Sequence, residues 1–328
     1  MRRSLAALAL LLVVAPSAAL AQPRDVPIIG VLTAGAENTA ISAQGRKAFE
    51  RGLMEAGWHP GRNIRLEYRY GDGNLRQMEE QARELARLPA ALIVARATAA
   101  IRAARAATAT VPIVMSASGV DPIEIGLATS LARPGGNVTG LTLLAQDLLI
   151  KQLELLRETV PRLARVAVLG GTGSPLAPKS RLDLDAAAKA VGVRLVYFDV
   201  QTPKDLEPAF EEIVRSRADG LLVRADPIVL EAHQSRVVAL AEKHKLPAAY
   251  WLYTYAEAGG LIAYGADLFS VHERSAVFVD RILRGARPAE LPIEEPSKFE
   301  LIVNLGAARA LGLTISPSVR ARASRIID

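Results

Sequence analysis

The 328-residue sequence contains no cysteine, which excludes disulfide staples and thiolate metal sites alike. Histidine is scarce. The four present, His59, His233, His244 and His272, never fall three or four positions apart, so no metal centre is suggested. No serine stands in a Gly-x-Ser-x-Gly elbow, and neither a P-loop nor a dinucleotide fingerprint is found. With those signatures missing, neither catalysis nor a bound cofactor is expected. Basic residues are scattered despite a net charge of +6, and no Lys/Arg block is interleaved with aromatics. A nucleic-acid partner therefore has no support.

No apolar run is long enough to cross a bilayer, which takes about 20 residues. The longest, Leu5 to Ala15, follows the basic start Met1-Arg2-Arg3 and precedes Pro16-Ser17 and Ala19-Leu20-Ala21. Basic start, short apolar core and small-x-small site together form a secretory signal, with cleavage predicted after Ala21. No cysteine lies near that site, so no lipid anchor is expected on the mature end. The expected product is a periplasmic protein that is not membrane-anchored.

Past the signal, the length suggests about two domains, and half of the residues are hydrophobic, enough for two cores. Short apolar runs alternate with amphipathic stretches. Ile28 to Leu32, Leu92 to Val94, Val111 to Met115 and Val138 to Leu143 are predicted strands, separated by helices near Ala43–Ala56, Asn74–Leu88 and Ala99–Ala107. Ile64, Leu66, Tyr68 and Tyr70 alternate with charges, as on a half-exposed strand. A second run places strands at Val166–Leu169, Arg194–Phe198, Leu221–Val223 and Ala248–Tyr250. Its helices fall at Asp147–Thr159, Leu182–Val191, Lys204–Arg217 and Ile228–His244. Continuous apolar strands under crossover helices belong to parallel sheets. The expected fold is α/β, with two Rossmann-like lobes of four or five strands each. The tail is expected to add a long helix over Leu268–Leu283, a crossing over Arg287–Pro296, a strand over Phe299–Val303 and a short helix over Ala307–Leu311.

In open α/β sheets, ligands bind at the carboxyl ends of strands. Those ends carry Thr33, Thr98, Ser116, Thr172 and Asp226. Hydroxyls and amides there could hold a carboxylate, and Asp226 an ammonium group. Helix capping competes for each, Asp226 included, since it precedes Pro227. Gly170-Gly171-Thr172-Gly173-Ser174 reads either as a flexible strand-to-helix turn or as a set of amide donors to a ligand carboxylate. Tyr250 to Tyr255 is the densest aromatic cluster in a chain only 5% aromatic, placed either to line a cleft or to pack a hinge.

Several longer stretches carry a resemblance. They are Ser130-Leu-Ala-Arg-Pro-Gly-Gly-Asn-Val-Thr-Gly-Leu141, Ala258-Gly-Gly-Leu261 with Tyr264-Gly265, and Val279-Asp-Arg-Ile-Leu-Arg-Gly-Ala-Arg-Pro-Ala-Glu-Leu-Pro292. Lys298-Phe-Glu-Leu-Ile-Val-Asn304 and Ala310-Leu-Gly-Leu-Thr314 continue it. From about Ile28 to the C-terminus the chain resembles ABC-transporter substrate-binding proteins related to tryptophan- and tyrosine-binding receptors, with the type I periplasmic-binding fold. The resemblance implies two hinged lobes that hold a small-molecule ligand between them and deliver it to an ABC permease with a cytoplasmic ATPase; a monomer is expected. The ligand first expected is an amino acid or similar zwitterion. The lobes are expected over 22–143 with 266–297, and over 144–265 with 298–328. Carried over by position, the implied cleft includes Thr33, Thr98, the segment from Ser116 to Asp121, Asp226 and Tyr250; with the strand-end readings, the expected ligand-binding residues are Thr33, Ala34, Thr98, Ser116, Ser118, Asp121, Gly171, Thr172, Asp226 and Tyr250. The chain departs from the family at Gly119-Val120-Asp121-Pro122, where Gly-Asp-Pro is common, and at Gly170-Gly171-Thr172, where a Trp-Asn-Pro-like turn is common. The same lobes could instead serve a periplasmic sensing subunit that reports to a membrane kinase.

Overall fold

A computed structural model of the chain describes residues 26–143, 145–172 and 176–328. The signal segment and Gly173-Ser174 of the glycine-rich stretch lie outside the described residues.

The first half alternates β1 (Ile28–Thr33), α1 (Ala40–Glu55), β2 (Arg65–Tyr70), α2 (Leu75–Arg87), β3 (Ala90–Arg96), α3 (Thr98–Ala107), β4 (Ile113–Ser118) and β5 (Val138–Thr142). These strands form one parallel sheet in the order β2-β1-β3-β4-β5. The central strands are apolar throughout because helices cover both faces; Leu92, Ile93, Val94 and Ala95 are fully buried. β2 is an edge strand and only partly covered, which accounts for its alternating pattern.

The second half runs α4 (Leu148–Thr159), β6 (Arg165–Gly171), α5 (Pro178–Ala190), β7 (Arg194–Val200), α6 (Leu206–Arg215), β8 (Gly220–Val223), α7 (Gln234–Lys243), β9 (Ala248–Tyr250), α8 (Tyr253–Glu257) and β10 (Ile262–Ala266). After these come α9 (Leu268–Leu283), β11 (Phe299–Asn304), α10 (Leu305–Ala310), α11 (Pro317–Arg322) and β12 (Arg325–Ile327). The second sheet has seven strands in the order β12-β11-β10-β9-β8-β6-β7, more than the four or five expected. The unexpected strands are β10 and β12, since β11 is the strand expected over Phe299–Val303. β11 runs antiparallel to β10 while the other pairings are parallel. β12 is short and polar at its first position, so its apolar pattern is too brief to read in sequence.

The chain passes between the sheets three times. It leaves the first after β5, returns after β10 and leaves again before β11. On the return, α9 lies against α1 and β4 of the first sheet. Glycines let the two helices approach closely: a Cβ at Gly52 would press on the Glu273 carbonyl of α9. Trp58 Nε1 donates to Asp280 at 2.9 Å, and Arg51 clasps Glu273 with two nitrogens. Along the crossing that follows, Glu294 N donates to Gly140 O and Thr142 N to Glu294 O, clipping that segment beside β5.

One helix is shorter than its periodicity suggests. The apolar spacing from Ile228 predicted a helix to His244, yet α7 begins at Gln234. Asp226 accepts hydrogen bonds from Val229 N and Leu230 N, which holds the preceding residues in turns.

Candidate functional site

A cavity of about 790 Å³, counting its open mouth, lies between the carboxyl ends of the two sheets. From the first lobe it takes the β1–α1 turn with Thr33, Ala34, Gly35 and Ala36, the β3–α3 turn with Arg96 to Ala99, and Ala117 and Gly119 after β4. From the second lobe come Ala225, Pro227, Glu231 and Ala232 of the β8–α7 loop, and Trp251 after β9. Leu268 and His272, at the start of α9, close the back. Most of this wall is small and apolar.

Its charged members are unusual. Arg96 ends β3, and its register partners are Thr33 on β1 and Ser116 on β4, so the three side chains emerge side by side on one face. Arg96 is only 3% exposed, and its Nη1 has no hydrogen-bond partner. No carboxylate pairs with it among the described residues. Burial pulls its guanidinium down to about 10, partly offset by the nearby phenols of Tyr68 and Tyr70. The side chain fits because α1 carries glycine opposite: a Cβ at Gly45 would collide with Arg96 Nη2 and stand 2.9 Å from His272 Cδ2. His272 Nδ1 is hydrogen-bonded to Ser116 Oγ at 2.7 Å. Burial, and then the Arg96 charge, hold the imidazole well below its usual range, so it is neutral near pH 7. Thr33 Oγ1 is likewise buried without a partner.

The backbone here is forced. A single residue, Ala97, joins β3 to α3 with φ 71° and ψ 154°, a region that glycine favours. Ala117 has φ 72° at the register shift between Ser116 and Ser118. Both strained alanines line the cavity. The turn at Ala97 leaves α3 without a side-chain cap, so the amides of Thr98, Ala99 and Ala100 have no partner among the described residues, while Ile101 N donates to Ala97 O.

Across the cavity, Glu231 is half-buried in the β8–α7 loop. Burial, and then the neighbouring Asp226, push its carboxyl up to about 8. At the mouth the lobes touch. Gly73 packs on Ile228, Gly35 faces the Pro227 carbonyl, and Lys179 N donates to Glu124 Oε1 at 3.3 Å.

Of the positions expected from sequence, Thr33, Ala34 and Thr98 line the cavity; the other seven are absent from its wall. Ser116 stands behind it, holding His272. Ser118 is fully buried and donates to Val120 O at 2.8 Å, and Asp121 caps Ile123 N at 2.8 Å. Asp226, proposed as an ammonium partner, is fully buried, and one of its oxygens caps two amides. Its carboxyl is raised by burial, against the pull of those amides. Gly171 ends β6 and does not line the cavity. It pairs with Val200 inside β6, and a Cβ there would collide with the Asp226 carboxylate. Thr172 donates its amide to Val200 O. Tyr250 is 1% exposed and stacks on Tyr255 with centroids 4.8 Å apart, so of the aromatic cluster it is Trp251 that reaches the cavity. Sequence reasoning missed Arg96, Glu231 and His272. A lone arginine ending the run Ala-Leu-Ile-Val-Ala, and a lone glutamate after Ile-Val-Leu, were the available signals.

Comparison with known proteins agrees with this architecture. The tyrosine-binding protein of Clostridioides difficile is 27% identical over 270 residues, which covers 82% of this chain and 76% of that protein. An ABC domain from Streptococcus pneumoniae in complex with L-Trp is 25% identical, with a TM-score of 0.83 over 92% of this chain and 99% of that one. The ligand-free, open structure of a substrate binding protein from Clostridium difficile has the same identity and coverage, but a TM-score of 0.65. The sheets here are therefore disposed more as in the tryptophan complex than as in the open protein. Residues 24–327 match the family described as ABC transporter substrate binding protein, and the chain belongs to that family.

Proposed function

We propose that this protein is the extracytoplasmic receptor of an ABC importer, and that it closes on an amino acid in the cavity between its lobes. The observation that carries this reading is the cavity itself, walled by both lobes and containing an unpaired arginine. The lobes we assign are 22–143 with 266–297 and 144–265 with 298–328, hinged at the three crossings. A ligand that touches both walls stabilises the closed form, which the permease then selects. Turning a mostly open population into a mostly closed one takes roughly 5 kcal/mol of preference. Micromolar binding releases about 8 kcal/mol, so the mechanism is within reach. No described helix is long and apolar enough to cross a membrane. Export with cleavage after Ala21, action as a monomer and an absence of catalysis complete the proposal.

A thermal-shift screen of the purified protein against the twenty amino acids, nucleosides and small organic acids tests it. L-tryptophan, L-tyrosine or another apolar amino acid should raise the melting temperature by mass action. A screen in which only nucleosides act would reject the amino-acid reading.

A further inference from the structure

The wall of the cavity is electrically lopsided. One side carries Arg96, which is only 3% exposed, has no carboxylate beside it, and lies next to a neutral imidazole. Beside it are the orphaned Thr33 hydroxyl and the uncapped first turn of α3, ten residues long, whose partial positive charge adds to that of Arg96. A protein does not hold a desolvated cation against so many donors unless something anionic completes the site. The facing lobe offers a single acid, Glu231, flanked by Asp226 and Tyr255. Between the two ends the surface is apolar, with Trp251, Ile41, Leu143 and Leu268.

We propose that Arg96, with Thr33 and the α3 amides, is the anchor for the ligand's carboxylate, and that Glu231 on the opposite lobe receives its ammonium group. The ligand class is then a monocarboxylic α-amino acid with an uncharged, largely apolar side chain. This assignment rests on the amino-acid reading above and sharpens it. The two ends of one zwitterion bind different lobes, so neither an amine nor an acid alone can draw them together fully. A second carboxylate on the ligand would meet no further buried cation on this wall.

Calorimetry on the purified protein, with L-tryptophan, L-tyrosine and L-leucine set against tryptamine, tyramine and indole-3-propionate, tests the assignment. At least one amino acid should bind, and its analogue without a carboxylate should bind roughly 100-fold more weakly. Arg96→Met should weaken the amino acid by roughly 100-fold and bring it within about threefold of the amine. Glu231→Gln should instead erase the preference over the deaminated acid. If Arg96→Met fails to fold, Arg96→Lys carries the same test. It keeps the charge but not the two parallel donors, and should cost about tenfold. An amino acid that binds the Arg96 variant as tightly as the parent overturns the anchor and leaves the amino-acid reading standing. If none of the amino acids binds the parent, the reading falls and the anchor with it.

Discussion

Replacing Arg96 with methionine should stabilise the empty protein while it destroys binding. Burial pulls the guanidinium well below its ordinary value, to about 10, with only two phenols to offset the cost. At about 1.4 kcal/mol per pKa unit, the charged form is disfavoured by about 3 kcal/mol relative to water. Methionine fills much of the same volume, brings no charge and adapts to an irregular gap. Loss of contacts with Tyr68, Tyr70 and the Gly45 face returns part of the gain, leaving about 1–2 kcal/mol of stabilisation. For a chain of this length that is a rise of roughly 2–4 °C in melting temperature. Differential scanning calorimetry of the ligand-free parent and variant measures it directly. A fall of several degrees would mean that Arg96 is bonded within the protein as an ordinary structural group, and the reasoning from an uncompensated buried charge would fail.

Gly45→Ala tests the same residue from the opposite helix. The new methyl must push the Arg96 guanidinium aside, so affinity measured by calorimetry should drop at least about tenfold, while the circular dichroism spectrum is unchanged. Glu231 gives a pH signature. Its carboxyl titrates near 8 in the empty site, so below that pH an incoming ammonium must expel a proton. Affinity should therefore fall as the pH drops from 8 to 6, by at most about tenfold per unit, and Glu231→Gln should flatten the profile. Because burial raises this carboxyl, the empty protein loses the corresponding stability as pH rises from 4.5 towards 8, and ligand should restore it. Asp226→Ala should behave differently from both cavity variants. It leaves the amides of Val229 and Leu230 unsatisfied, costing about 1–3 kcal/mol in urea unfolding, with a smaller loss of affinity than Arg96→Met. Equal loss of affinity in the two variants would restore Asp226 as a ligand partner.

The alternation of buried strands and amphipathic helices was legible because each element repeats at its own period. α9 was placed with the same bounds from Leu268 to Leu283, and β9 from Ala248 to Tyr250. Legibility failed where local hydrogen bonds override a period, as at Ile228 to His233, and where strands are short, as at β12. At the cavity, Thr33, Ala34 and Thr98 could be found because the ends of parallel strands are known places for ligands. Gly171 and Asp226 could not be read correctly one at a time, since each explains the other: the glycine makes room for the carboxylate.

Composition and periodicity by themselves determined the doubly wound architecture and the positions of most strands, because burial on one or both faces is written in local spacing. The tertiary structure decided which polar groups face the cavity. Arg96 is a surface-type residue by composition, and it is made a buried, unpaired cation by Gly45 on one helix and His272 on another. Glu231 acquires its raised carboxyl through burial, and then through the charge of the neighbouring Asp226. Desolvation and charge proximity depend on residues distant in the chain, so no local pattern records them.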